Sequence, residues 1–338
     1  MVFVTGGTGL VGSRLIIDLI NKGEKVVALK RGNTSVAKFS SIVKLYKTDN
    51  KTIEENLNWV EGDLLDLENL HQLIPEGSKV YHCAAKVSFN PKLSQHIIET
   101  NVEGTANLVN VCLQKKVSKF CHVSSIGALG GKIIGQKINE DTPWSPTGKS
   151  AYSLSKHFSE LEVWRGMAEG LNAVIVNPAV ILGPGDWNHG SPQLFTLVSK
   201  GLKYYTLGTT SYVDVRDVTK VMILLMDSDI QNERFLLASQ TLSYKVLFAQ
   251  IADAINGKAP YIQASKFMTQ LAYSLEKVRS GLLRIEPKIT RQTHKILHTC
   301  DDYSGTKICE KIGFSYTPMA QTINFIGECF IESHRNRI

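Results

Sequence analysis

A chain of 338 residues, 43% hydrophobic and 20% charged, has the make-up of a globular protein with one large core or two unequal ones. Its formal net charge of +7 is spread without a dense Lys/Arg run, which argues against a nucleic-acid partner and suits an anionic small ligand. No apolar run approaches the roughly 18 residues needed to cross a bilayer. Cys83, Cys112, Cys121, Cys300, Cys309 and Cys329 form neither C-x-x-C nor a metal-ligand spacing, so the expectation is a reduced, cytoplasmic protein without disulfides or metal.

The first run, 1-MVFV-4, is strand-like and lacks the basic and apolar regions of a secretory signal. It leads into 4-VTGGTGLVGSRL-15, which opens a helical stretch over 10–23. Gly6 permits a tight turn, Gly9 lets the backbone approach a pyrophosphate, and Gly12 lets helix and strand pack closely. The helix N-terminus adds free N–H groups and a partial positive charge.

The next strand, 25-KVVALK-30, ends without an acid to bind ribose hydroxyls. Arg31 stands there, with Lys30 beside it, Thr34 and Ser35 close by and Lys38 seven residues on. A guanidinium fork suits a phosphate dianion, so the pattern favours NADP(H) over NAD(H). Solvated loop cations are the alternative. A third strand, 57-LNWVEG-62, leads to Asp63 and Leu64, and a cap on the following helix is one reading of Asp63.

Strand 79-KVYHCAA-85, a helical stretch over 94–116 and strand 118-SKFCHVSS-125 follow. Then comes 150-SAYSLSKHFSEL-161. Tyr152 and Lys156 are four apart and share a helix face, about 6 Å from each other. An ammonium favours phenolate, so a lowered Tyr152 pKa and a role as proton donor or acceptor are expected. Lys156 also stands to reach the ribose hydroxyls of a nicotinamide. Serines at a strand end, as at Ser124 and Ser125, equally suit local backbone bonding. With the strand 171-LNAVIVNPA-179, this strand–helix alternation predicts an α/β fold, a Rossmann-type doubly wound parallel sheet with helices on both faces.

The rhythm changes at the Gly/Pro-rich 183-GPGDWNHGSPQ-193. Residues 1–183 and 211–240 are expected to form the dinucleotide-binding body. Residues 184–210 and 241–338 are expected to form a smaller, mostly helical substrate body. Phe89, Trp144, Trp187, Phe195, Tyr204 and Tyr205 are aromatic candidates for an apolar pocket. The stretch 265–289 mixes Phe267, Leu271, Leu275, Val278 and Leu282 with Lys266, Lys277, Arg279, Arg284 and Lys288. Its apolar face is expected to pack inward, with docking on an anionic membrane as the alternative.

The G-x-x-G-x-x-G loop, 79-KVYHCAAKVSF-89, 100-TNVEGTANLVNVC-112, 176-VNPAVILGPGD-186 and the Tyr152–Lys156 pair together resemble the extended class of the short-chain dehydrogenase/reductase superfamily. The pattern covers roughly residues 1–230 and is most like dihydroflavonol reductase-like and 3β-hydroxysteroid dehydrogenase-like members. The resemblance implies a catalytic Ser125, with Ser124 as the alternative, beside Tyr152 and Lys156. It implies a cofactor site of Gly6, Thr8, Gly9, Leu10, Val11, Gly12, Arg31, Lys38, Asp63, Leu64, Ala84, Ala85, Val123, Tyr152, Lys156, Pro178 and Val180. Asp63 would accept from the adenine amino group.

The implied activity is NADP(H)-dependent reduction of a carbonyl, or oxidation of the alcohol, on a small or medium apolar substrate. A nucleotide-sugar 4-epimerase with tightly held cofactor is the alternative, and a nucleotide-sensing regulator a third reading. Thr209, Thr210 and Ser211 stand where sugar-nucleotide members carry Arg-Asp, and Ile126 and Gly127 follow Ser125 where dehydratases place acids. A homodimer through the Tyr152 helix is also implied. The segment 303-YSGTKICEKIGFSYTPMAQTI-323 resembles the family's closing element, so a complete chain is expected.

Overall fold

A computed structural model describes residues 1–88, 90–131, 135–283, 287 and 290–335. Phe89, Arg284, Lys288 and the side chain of Leu282, all named above, lie outside the described residues. The strands are β1 (Val2–Thr5), β2 (Val26–Lys30), β3 (Leu57–Glu61), β4 (Lys79–His82), β5 (Lys119–Val123) and β6 (Ala173–Pro178). After them come β7 (Val180–Leu182), β8 (Tyr204–Tyr205), β9 (Thr209–Asp214), β10 (Glu233–Leu237), β11 (Gln240–Ser243) and β12 (Ile262–Gln263).

Seven strands form one parallel sheet in the order β10-β6-β5-β4-β1-β2-β3. From β1 the chain winds outward to β2 and β3, then returns to β4 on the other side. That reversal makes the carboxyl ends of β1 and β4 the switch point where such sheets take ligands. Thr5, the last residue of β1, lies between Leu29 of β2 and His82 of β4.

Side-chain alternation divides the interior into two layers. Val4, Tyr81, Val176 and Phe235 point to one face, where they meet Ile16 and Ile20 of the Leu10–Asn21 helix and Met222 of the Val215–Met226 helix. Phe3, Val80, Phe120 and Ile175 point to the other, against Leu108 of the Ser94–Gln114 helix and Val163 of the Ala151–Ala168 helix. Each such side chain, fully buried, contributes on the order of 2 kcal/mol.

β7 and β9, at the edges of the expected first body, hydrogen-bond in a separate sheet of order β11-β9-β7. This sheet backs onto a third apolar cluster that includes Trp187, Phe195, Leu247, Ile323 and Phe330. Trp187 and Phe195 are therefore packing residues and not pocket lining: their rings lie 5.1 and 6.3 Å from that of Phe330. Trp144 is likewise taken up by stacking on His157 at 3.6 Å, and Tyr204 and Tyr205 form β8.

Asp214 ties the two sheets together. Its carboxylate caps the Val215–Met226 helix through the Arg216 N–H at 2.7 Å and accepts from Thr322 Oγ1 at 2.8 Å, on the Met319–Arg335 helix. The closing element follows its sequence pattern: helix Thr306–Ile312, a left-handed Gly313, then the final helix. The Lys266–Leu283 helix departs from expectation. Phe267, Leu271, Leu275 and Val278 are exposed, while Thr269 on the other side of the helix bonds His294 and His298.

Candidate active site

The turn after β1 is built around absent side chains. Gly6 has φ +71°, and a Cβ there would lie 2.6 Å from the Ala84 nitrogen. A Cβ on Gly12 would lie 2.2 Å from the Gly6 carbonyl oxygen. The Gly9 N–H closes the turn on that same oxygen at 3.0 Å. The first turn of the Leu10–Asn21 helix holds no acid, so its positive end is left for an anion.

A cleft of about 380 Å³ opens from this turn. Its walls include Gly6, Thr8, Gly9, Arg31, Asp63, Leu64, Ala84 and Ala85, so eight of the residues read from sequence meet in one hollow, joined by Thr34. Arg31 is exposed, and its side chain has no ion pair among the described residues. Lys38 is not on this wall; its ammonium pairs with Asp186 at 2.9 Å. Leu10 instead packs toward Gly183 and Gly185, and Val11 rests on the first core layer. Pro178 and Val180 end β6 and begin β7. The glycine cradle and helix end fit the pyrophosphate of a nicotinamide dinucleotide.

Two aspartates divide the roles left open after β3. Asp66 caps the Leu67–Leu73 helix through the Asn69 N–H at 3.0 Å. Asp63 accepts only the nearer Leu65 N–H, at 3.0 Å, and stays on the cleft wall.

The Asn–x–x–Gly–Thr–x–Asn pattern holds this wall in place. Asn101 brackets the backbone of Lys86, accepting from its N–H at 2.7 Å and donating to its carbonyl at 3.0 Å. Gly104 makes room for Leu64, whose Cβ would stand 2.9 Å from any Cβ there. Asn107 donates to the Leu64 carbonyl at 3.0 Å. The Thr105 hydroxyl gives its hydrogen to the Asn101 carbonyl, so it accepts from His82 Nε2 at 3.0 Å. His82 Nδ1 then accepts from Thr5 at 2.7 Å. Burial, helped by the Lys156 charge, pushes His82 down to about 3, and it is neutral at physiological pH.

The two serines after β5 face different ways. Ser124 is buried and donates to Glu160 Oε2 at 2.7 Å. The Ser125 hydroxyl acts on the Tyr152 phenol, drawing its pKa down. Its Oγ also accepts the Gly127 N–H at 3.1 Å. Ser124 is thus engaged with Glu160, and Ser125 is the serine whose hydroxyl acts on the phenol.

Tyr152 departs from the sequence expectation. Burial raises its pKa, and the group that pulls it back down is Ser125. Lys156 is 3% exposed and aims its ammonium at the Val123 carbonyl, 2.7 Å away. Burial brings Lys156 down to about 8, while Cys83 and Glu160 act against that fall.

Glu160 was not singled out from sequence. It lies one further turn along the same helix and is 2% exposed. It accepts from Ser124, from Asn177 Nδ2 at 2.7 Å, from Trp164 Nε1 at 3.3 Å and from Arg234 Nη1 at 2.9 Å. Asn177 also donates to the Ser125 carbonyl at 3.2 Å, so the buried carboxylate holds the loop after β5 from beneath. The only local signal was its i+4 spacing from Lys156.

Residues 2–238, more than half the chain, match the model of the NAD dependent epimerase/dehydratase family. The chain belongs to that family. It is an enzyme of the extended short-chain dehydrogenase/reductase type, whose members use nicotinamide cofactors. A dihydroflavonol 4-reductase-like protein of Synechocystis sp. is 27% identical over 95% of this chain and 92% of its own. Sterol demethylase protein B of Methylococcus capsulatus is 31% identical over 70% of this chain and 69% of its own. Among solved structures, gox2253 superposes over 99% of each chain with TM-score 0.80 at 25% identity.

Proposed function

We propose that the protein is an NADP(H)-dependent reductase of a carbonyl on a small or medium apolar substrate. The observation that carries this reading is the placement of Tyr152 and Lys156 on one helix at the carboxyl end of β5, with the Lys156 ammonium 2.7 Å from the Val123 carbonyl and Ser125 drawing the Tyr152 pKa down. A protonated Tyr152 is an acid, which suits giving a proton to a carbonyl oxygen better than taking one from an alcohol. A nicotinamide, when bound, supplies the hydride.

The protein's own groups handle the proton and the developing charge. Gly127 donates to Ser125 Oγ, so the Ser125 hydroxyl keeps its own hydrogen to give to an oxyanion, whether the phenolate or the carbonyl oxygen as negative charge builds there. Tyr152 delivers its proton to the same oxygen. Lys156, brought to about 8, titrates close enough to neutral pH to return a proton toward the phenol. Gly6, Gly9 and the following helix end would hold the pyrophosphate, and Arg31 with Thr34 the ribose 2′-phosphate.

The reading includes a reducing compartment and a homodimer through the Ala151–Ala168 helix, whose Phe158 and Leu161 are exposed. Among the described residues no helix is long and apolar enough to cross a membrane.

The test is NADPH oxidation by purified protein with a panel of aldehydes and ketones. Tyr152→Phe is expected to lower turnover by about 10²- to 10⁴-fold, and Arg31→Asp to reverse a preference for NADPH over NADH. No turnover on any carbonyl, with nicotinamide cofactor still bound after purification, would replace this reading with the 4-epimerase.

A further inference from the structure

The Lys266–Leu283 helix is built inside out. Its half-buried residues are Thr269, Ala272, Tyr273, Glu276, Arg279 and Ser280, a mostly polar stripe. Thr269 Oγ1 bonds His298 Nε2 at 2.7 Å and His294 Nδ1 at 3.0 Å. Glu276 holds Arg279 through two contacts of 2.7 and 2.8 Å. On the opposite side Phe267 is 77% exposed, Leu271 50%, Leu275 63% and Val278 61%. Their spacing of four, four and three places all four within an arc of about 80°. Tyr261, just before the helix, is 72% exposed. A contiguous apolar stripe of this kind marks a binding surface.

The charges beside the stripe have one sign. Lys266 and Lys277 are both exposed, and both fall on the same flank, about 80–100° from the stripe's edge. Neither has an ion-pair partner among the described residues, and Glu276, the acid in this helix, is turned inward onto Arg279. Lys266 continues into a hollow of about 710 Å³ whose walls carry Lys149, Arg291, His294, Lys295 and His298 and no carboxylate. Asp301 is the acid whose charge reaches Lys149. Self-association through this face would set the lysines of one copy among those of another, with no exposed acid on the helix to pair them.

We propose that this helix lies on an anionic lipid surface. Phe267, Leu271, Leu275 and Val278 enter the acyl boundary. Lys266 and Lys277 extend their stems along it and place their ammonium groups against the headgroups, with the neighbouring basic hollow facing the same way.

The test is flotation of the full chain with phosphatidylcholine vesicles, with and without phosphatidylglycerol. Two double variants are compared, Leu271→Glu/Leu275→Glu and Lys266→Glu/Lys277→Glu. All four sites are exposed, and far-UV circular dichroism and melting temperature confirm that each variant is folded. The wild type is expected to float with anionic vesicles and at least about tenfold less with neutral ones, and both variants to lose about tenfold or more. A wild type that stays at the bottom of the gradient with anionic vesicles overturns the proposal, as do variants that float equally well. A wild-type dimer that Leu271→Glu/Leu275→Glu converts to monomer, without flotation of either, assigns the stripe to a second copy instead.

Discussion

Replacing the Lys156 ammonium with a methionine should make the cofactor-free protein more stable while destroying its activity. The folded state holds this group at about 8, below its ordinary 10.5, because it is buried. Keeping it charged at pH 7 therefore costs the fold about 3 kcal/mol. Lys156→Met removes that cost. It also removes the hydrogen bond to the Val123 carbonyl, worth about 1 kcal/mol. The expected net gain is about 2 kcal/mol at pH 7. The pH dependence follows from the direction of the shift. Between about 8 and 10.5 the unfolded chain holds the proton and the folded one does not, so wild-type stability rises with pH across that window. By pH 10 less than about 1 kcal/mol of the cost is left, and the advantage of the variant should fall to near zero. Urea unfolding of both proteins at pH 7 and pH 10, without added nicotinamide, measures the difference. A variant less stable than wild type at pH 7, or an advantage that does not shrink with pH, would refute the reasoning.

The serines should separate cleanly. Ser125→Ala is expected to lower kcat by about 10²- to 10³-fold with little change in melting temperature. Ser124→Ala should cost about 1.5–2 kcal/mol of stability, from the lost bond to a buried carboxylate, and leave kcat within a few-fold. Gly12→Ala should weaken nicotinamide binding by at least about tenfold, measured by fluorescence titration, because its Cβ drives the Gly6 carbonyl out of the turn.

The parallel sheet was legible because its strands are short apolar runs separated by helical periods, and six of the seven were placed within a few residues. β10 was missed: 233-ERFLL-237 starts with two charged residues, and what makes it a strand is its pairing with β6, far away in sequence. The glycine turn announced itself because few other residues fit. Spacing put Tyr152 and Lys156 on one face but could not say where the ammonium points, and it points at Val123. The Lys266–Leu283 helix shows the same limit. Periodicity tells which residues share a face, whereas His294 and His298, more than twenty residues downstream of Thr269, decide that the polar face is the inner one. Glu160 and Asn177 left no mark because a single polar residue among apolar ones has no pattern until its partners are seen.

Tyr152, Lys156 and Glu160 sit on successive turns of one rod, and Glu160 is clamped on several sides. A rigid rod clamped there has its angle of rotation fixed, so Glu160 acts as the reference mark from which the phenol is aimed, about 12 Å away along the axis. Beyond that clamp, over Glu162–Ala168, Val163, Gly166 and Met167 are buried, so sequence drift there is confined to the outward face. The inner half has no such freedom.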